Sequence, residues 1–230
     1  MKNTSVLVVA AHPDDEVLGL GGTIAKLSSR GATVHLIILT DGSSAQYRDN
    51  PLLMDIIEEK YAETQACAKA LKISTIDYGN FPDMKLDTVP HILLNQFIEE
   101  AVIRYSPEIV FTHFYGDINL DHQYAFRSTM VAARPSMEQS VHKIFCYRTP
   151  SSTEWNFQNS SLTFMPNYFV DISNYCQLKY QAISNYKREL RTYPHPRSMQ
   201  AIQQADQAAG VRVGMLYAEE FMMIRCFASW

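Results

Sequence analysis

The chain has 230 residues, 47% of them hydrophobic and 19% charged, with a formal net charge of −4. That size and composition suffice for a full core, and one domain over 1–230 is expected. The weak acidic balance carries no long run of like charge and so no nucleic-acid footprint, and no apolar stretch approaches the ~20 residues that span a bilayer.

Residues 4–11 are a continuous, Val-rich apolar run, the pattern of a buried parallel strand. Residues 32–40 repeat that pattern, 51–71 form a long amphipathic helix, and 73–78 are a short third strand. Over 90–105, Ile92, Leu93, Phe97, Ile98, Ala101 and Val102 recur at helical spacing, and 108–113 is a fourth strand. Later strands are predicted at 142–148, 168–172 and 217–227, with helices at 173–191 and 198–209. Residues 149–167, polar and aromatic with two prolines, read as a long loop near the mouth of a site. Such alternation predicts an α/β, Rossmann-like three-layer fold: a mostly parallel sheet with helices on both faces.

Directly after the first strand stands Ala11-His12-Pro13-Asp14-Asp15-Glu16. An imidazole and three carboxyl groups at the C-terminal edge of a parallel strand suit a metal site, because ligands of open parallel sheets bind at that edge. The glycines Gly19, Gly21 and Gly22 do not make a dinucleotide fingerprint. The turn before them carries Asp14, Asp15 and Glu16, whose charge repels a pyrophosphate, so the glycines are read as letting the first helix pack closely on the sheet. Cys67, Cys146, Cys176 and Cys226 lie far apart without C-x-x-C spacing and are expected to be reduced, buried small hydrophobes. Residues 1–4 lead into the first strand without the apolar core of a signal peptide, so a cytoplasmic protein is expected.

The motif, its strand and the following Val17-Leu18-Gly19-Leu20-Gly21-Gly22-Thr23-Ile24-Ala25 resemble the LmbE-like (PIG-L) family of metal-dependent N-deacetylases. Thr40-Asp41-Gly42-Ser43, a helix anchored by Glu63 and ending Ala70-Leu71, and Asp121-His122 match in the same order. Beyond about residue 140 the likeness thins to Pro194-His195-Pro196-Arg197-Ser198 and Ala218-Glu219-Glu220-Phe221, similar to the family's carbohydrate-active branch.

The resemblance implies His12, Asp15 and His122 as ligands of one Zn²⁺ per chain, with Fe²⁺ also compatible. Two imidazoles and a carboxylate leave a position open for water, as catalytic zinc requires. It further implies Asp14 as general base and Arg48 as a substrate-holding guanidinium. Asn119 stands three residues before His122, where the thiol-pathway members carry a histidine. It can donate to an oxyanion but cannot protonate a leaving amine, a task then left to protonated Asp14 or to His195. Asp117 or Asp121 would accept from a ligand histidine, and His113 lies at the same edge as a supporting or packing residue. His35, His91 and His142 are given no role.

The implied function is a zinc-dependent hydrolase that removes an N-acetyl group from an amino sugar or a conjugate of one. Its partner would be a small acylated amine, with neither nucleic acid nor membrane involved, and a homo-oligomer is compatible with the sequence. Deacylation of a non-sugar amide, such as an acylated antibiotic or peptidic metabolite, is the alternative within enzymes. A non-catalytic carbohydrate-binding module on the same scaffold is the alternative outside them, against which all three ligand positions being intact argues.

Overall fold

The computed structural model describes residues 3–136, 139–157 and 162–227. Its strands are β1 (Ser5–Ala10), β2 (Thr33–Thr40), β3 (Thr75–Phe81), β4 (Ile109–His113), β5 (Lys143–Tyr147), β6 (Tyr168–Asp171) and β7 (Ala218–Cys226). They form one sheet in the order β3-β2-β1-β4-β5-β7-β6. Pairings from β3 through β5 are parallel, and β7 runs antiparallel to both its neighbours. The predicted Rossmann-like arrangement is therefore present.

Among the described residues six helices cover the sheet: α1 (Asp15–Ser29), α2 (Leu53–Leu71), α3 (His91–Tyr105), α4 (Leu120–Ala132), α5 (Cys176–Ile183) and α6 (Met199–Val211). One apolar cluster joins α1, α2, α5 and α6 to one face of the sheet, and a second joins α3 and α4 to the other. β1 lies between both clusters, which is why Val6 to Ala10 are fully buried and why its sequence is apolar at every position past Ser5. Among the described residues no helix is long and apolar enough to cross a membrane.

Two elements depart from the sequence reading. Helix α4 follows β4 where the sequence marks only the Asp121-His122 pair; its buried positions include Ser128 and Thr129, so the apolar stripe is weak. Thr129 satisfies its hydroxyl on Ala125 O at 2.7 Å. Conversely, the helix expected over 173–191 ends at Ile183, because the chain turns to bury Tyr186 and to donate Lys187 N to Glu63 Oε1 at 3.1 Å. Cys67, Cys146 and Cys176 are free and buried as expected, whereas Cys226, at the end of β7, is free and exposed. Of the 149–167 loop, residues 158–161 lie outside the described residues, and a short 3-10 turn occupies Thr153–Trp155.

Of the α1 glycines, Gly19 meets the sheet as predicted, where a Cβ would stand 2.3 Å from Tyr147 Cδ2, whereas Gly21 faces Lys179 of α5 and Gly22 faces Ile172 just past β6. α1 also breaks at Leu20 (φ −150, ψ 25), which frees the amides of the following turn. Glu219 of β7 accepts from Gly22 N at 2.9 Å and Thr23 N at 2.6 Å, acting as a cap inside the helix. Lys179 of α5, itself buried, neutralises Glu219 and Asp206 at 2.9 Å each.

Candidate metal centre

The strand order reverses direction of growth between β1 and β4, so the crevice for a ligand opens beyond their C-terminal ends. His12 and Asp15 leave β1 into the first turn of α1, and His122 lies in the first turn of α4. Their ligating atoms form a triangle. His12 Nδ1 is 3.3 Å from Asp15 Oδ2 and 3.3 Å from His122 Nε2, and His122 Nε2 is 3.6 Å from Asp15 Oδ2. Donors at ~2.0–2.1 Å from a tetrahedral zinc stand about 3.3 Å apart, so the spacing fits one such ion.

Hydrogen bonds around the triangle set which nitrogen of each ring faces inward. Asp117 Oδ2 lies 3.2 Å from His122 Nδ1 and Asp121 Oδ2 lies 3.2 Å from His12 Nε2, so each imidazole has a carboxylate to accept from one ring nitrogen and turns its other nitrogen to the centre. Asp117 is itself held by Thr153 Oγ1 at 2.6 Å and by Ser152 Oγ. Both carboxylates singled out in the sequence thus serve, one for each histidine. Asp83, at 3.3 Å from His12 Nε2, has no motif to announce it. It also makes His12, Asp83 and Asp121 a second grouping of metal-ligating type. That grouping shares His12 and uses its N–H, and so is read as support for the first.

Two ring nitrogens and a carboxylate oxygen converging in a buried place call for a cation. Asp15 is fully buried and its Oδ1 has no hydrogen-bond partner among the described residues. Burial would lower the His12 pKa, but the hydrogen bond to Asp121 and the charges of Asp15 and Asp83 outweigh it and push it well above the ordinary value. In the absence of a metal a proton on His12 meets the demand for positive charge. His113 stacks on His122 with ring centroids 3.9 Å apart and accepts from Ala11 N at 2.9 Å. Burial, with His122 beside it, holds its pKa down to about 4, so it stands as a neutral support.

Asp14 precedes α1 with φ 110 and makes no side-chain cap bond. A left-handed backbone at a non-glycine residue costs energy and is found where a site holds it. Here Glu16 Oε2 accepts from Asp14 N at 3.1 Å, and Arg197 Nη1 donates to Asp14 Oδ2 at 2.9 Å. Burial, helped by Glu189 and Asp15, raises the Asp14 pKa well above the usual carboxylate range against the pull of Arg197. Arg197 also reaches Glu189 Oε2 at 3.2 Å and Ser151 Oγ at 2.8 Å, and Glu189 Oε1 pairs with buried Lys60 of α2. A chain of alternating charge, Lys60–Glu189–Arg197–Asp14, so backs the carboxyl. Of these partners only Arg197 stands within a motif quoted from the sequence; Lys60 and Glu189 have no local signal, since a charge in an amphipathic helix or a turn reads as solvated.

A cavity of about 360 Å³ opens beside the triangle, lined among others by His12, Asp14, Gln46, Asp83, Asn119 and Arg197. Asn119 Oδ1 caps α4 by accepting from Asp121 N at 2.9 Å, and its Nδ2 meets only Met84 Sδ, at 3.5 Å, among the described residues. His195 is not in this wall. Its Nδ1 accepts from Arg197 N at 3.1 Å and its ring stands edge-on to Trp155 at 6.1 Å. Arg48 is also elsewhere, on the surface beside Asp49 at 3.5 Å with its side chain 75% exposed. The cavity's guanidinium comes from Arg197.

A Rossmann-like sheet with a three-donor centre at the β1/β4 switch point defines a class of metal-dependent α/β enzymes. Residues 7–133 match the family model for PIG-L, GlcNAc-PI de-N-acetylase. The uncharacterized deacetylase YaiS of Escherichia coli (strain K12) is 29% identical over 195 residues, covering 81% of this chain and 92% of that protein. Diacetylchitobiose deacetylase of Thermococcus kodakarensis is 27% identical over 193 residues (80% and 69%). 4-Oxalmesaconate hydratase of Pseudomonas putida is 27% identical over 198 residues (78% and 71%). A conserved protein from Thermus thermophilus has the same fold, with a TM-score of 0.77 at 24% identity over 98% of this chain and 96% of that one. The chain belongs to the PIG-L family of N-deacetylases, as its motifs implied.

Proposed function

We propose that the protein is a zinc-dependent hydrolase of the N-acetyl group of an amino sugar or amino-sugar conjugate. The observation that carries this reading is the triangle of His12 Nδ1, Asp15 Oδ2 and His122 Nε2, with the carboxyl of Asp14 next to it. A zinc ion bound there would act as a Lewis acid on the amide oxygen and bring the pKa of a water toward ~7. Asp14 takes the proton from the attacking water and returns it to the leaving amine, since His195 does not line the cavity. Asn119 Nδ2, with a thioether as its partner, donates to the developing oxyanion. Asp83 and Gln46 offer polar groups to sugar hydroxyls from the cavity wall. The diacetylchitobiose deacetylase similarity supports a sugar substrate.

The similarity to a hydratase supports a second reading, addition of water to a conjugated double bond, which would start with the same proton removal. Charge favours the first. The wall carries Asp14, Asp83 and Glu189 against one guanidinium, Arg197, already paired with two of them, and so is unsuited to a polycarboxylate such as oxalmesaconate. The test is a panel of N-acetyl amino sugars, other acylated amines and unsaturated polycarboxylates, assayed for amine release and for hydration. Amine release that a chelator abolishes and Zn²⁺ restores is expected. Saccharide binding indifferent to chelation with no amine released, or hydration alone, would overturn it.

A further inference from the structure

At the opposite edge of the sheet from the metal centre, where β4 and β5 begin, lies a second cavity of about 260 Å³. We propose that it is a binding site for a small hydroxyaryl carboxylate. Its floor is the stacked pair Phe111 and Phe145, with ring centroids 5.2 Å apart and each side chain nearly buried, and Tyr168, 41% exposed with its ring 4.7 Å from that of Phe145, adds the aromatic surface open to a flat ring. One wall is a single face of α1, Thr23, Lys26 and Leu27 at the i, i+3, i+4 spacing, continued by Arg30, which caps the end of that helix.

Three observations set the chemistry of the ligand. Thr23 is 1% exposed, lines the cavity, and its Oγ1 has no hydrogen-bond partner among the described residues, so the inner end of the cavity holds an unsatisfied hydroxyl. At the mouth, Arg30 and Lys143 are exposed, and neither side chain makes a hydrogen bond or ion pair with the described residues. Lys26 donates to the Asp171 carbonyl at 2.6 Å, while the Asp171 carboxylate accepts from Ser173 N at 2.9 Å and Ser173 Oγ at 2.6 Å. The Asp171 charge lies in the field of Lys26 and Arg30, so three cations, Lys26, Arg30 and Lys143, stand against one carboxylate and the lining stays net cationic. Arg30 stands seven positions past Thr23, just beyond the last turn of α1, about 10 Å along its axis. A carboxylate at the mouth, a ring on the phenyl floor and a hydroxyl at the far end of the ring span such a length once the arginine side chain bends toward it. No residue of this lining is shared with the cavity at the metal centre.

The probe is 4-hydroxybenzoate, followed by ligand-observed NMR and by calorimetry on the full chain, with benzoate and 4-hydroxybenzamide as controls. Sub-millimolar binding of 4-hydroxybenzoate is expected, with both controls at least about fivefold weaker. The double variant R30E/K143E should weaken it tenfold or more. T23V, nearly isosteric, should remove the advantage of 4-hydroxybenzoate over benzoate and leave benzoate itself unchanged. Absence of binding at millimolar ligand, binding insensitive to these three substitutions, or binding lost in H122A but kept in R30E/K143E would overturn the proposal. The last result would place the ligand at the metal centre. Failure here leaves the deacetylase reading untouched, because none of these side chains belongs to the metal centre.

Discussion

Arg197 Nη1 stands 2.9 Å from Asp14 Oδ2, so the carboxyl beside the metal triangle is matched by a guanidinium drawn from the far end of the chain. The guanidinium opposes the burial that raises the pKa of this carboxyl, only 2% exposed, and so favours the ionised form that the proposed base requires. Arg197→Met should lower kcat about tenfold or more with KM within about twofold, since Arg197 orients Asp14. Loss of the pair should also cost on the order of 2–3 kcal/mol, less than the ~3–5 of a fully enclosed pair because the Arg197 side chain is 21% exposed. A rise in KM alone would show that Arg197 reads the substrate. Steady-state kinetics and denaturant unfolding check both parts.

Asp14→Asn should keep its metal and lose at least ~10² in rate, the usual worth of general-base assistance. Metal analysis alongside turnover decides it. Near-normal turnover with metal bound would remove Asp14 from the reaction.

About one divalent ion per chain is expected from a triangle of this size, and His122→Ala should lose it while keeping the fold. Asp117→Asn, which leaves the ligand in place but weakens the acceptor of its Nδ1–H, should reduce metal affinity by about 10–100-fold. Elemental analysis and competition with a chromophoric chelator provide the measurement.

Metal uptake should release a proton. His12 is raised above its ordinary value in the metal-free site, so it is protonated at neutral pH and must give up that proton to bind through Nδ1. Affinity should therefore rise with pH, about tenfold per unit below the His12 pKa, and level off above it. Calorimetry in buffers of different ionisation enthalpy should report about one proton released near pH 7. None released would mean that His12 is not a ligand.

Gly19→Ala tests the packing beneath the centre. The added methyl would stand 2.3 Å from Tyr147 Cδ2, and Tyr147 in turn donates to Val9 O at 2.8 Å and lies 3.0 Å from His113 Nε2. Overpacking of this kind costs about 1–3 kcal/mol. Thermal unfolding should show the loss, and metal affinity should fall with it as His113 is displaced against His122.

Much of this architecture is legible in the sequence because its first half is locally explicit. β1 is buried on both faces and so is apolar nearly throughout, and His12, Asp14 and Asp15 follow it at once. α4 is hidden because its inward side holds Ser128 and Thr129, whose hydroxyls interrupt the apolar pattern that would announce a helix. Arg197, Glu189 and Lys60 come from separate segments and acquire meaning only when the chain past α5 folds back over α2. Arg48 has the right residue type near the right strand, yet its loop carries it to solvent.

Glu219 places a carboxylate of the last strand on the amides of the first helix. During synthesis the three proposed metal ligands emerge by residue 122, long before the segment that completes the helix bearing Asp15. Until β7 slots between β5 and β6, the turn after Leu20 has no acceptor for its amides, and until the chain has passed α5, Asp14 has no guanidinium. The helix that begins with Asp15 thus completes its hydrogen bonding only when the last strand has joined the sheet, so loss of β7 should loosen α1 at the other end of the chain as well as the sheet it leaves.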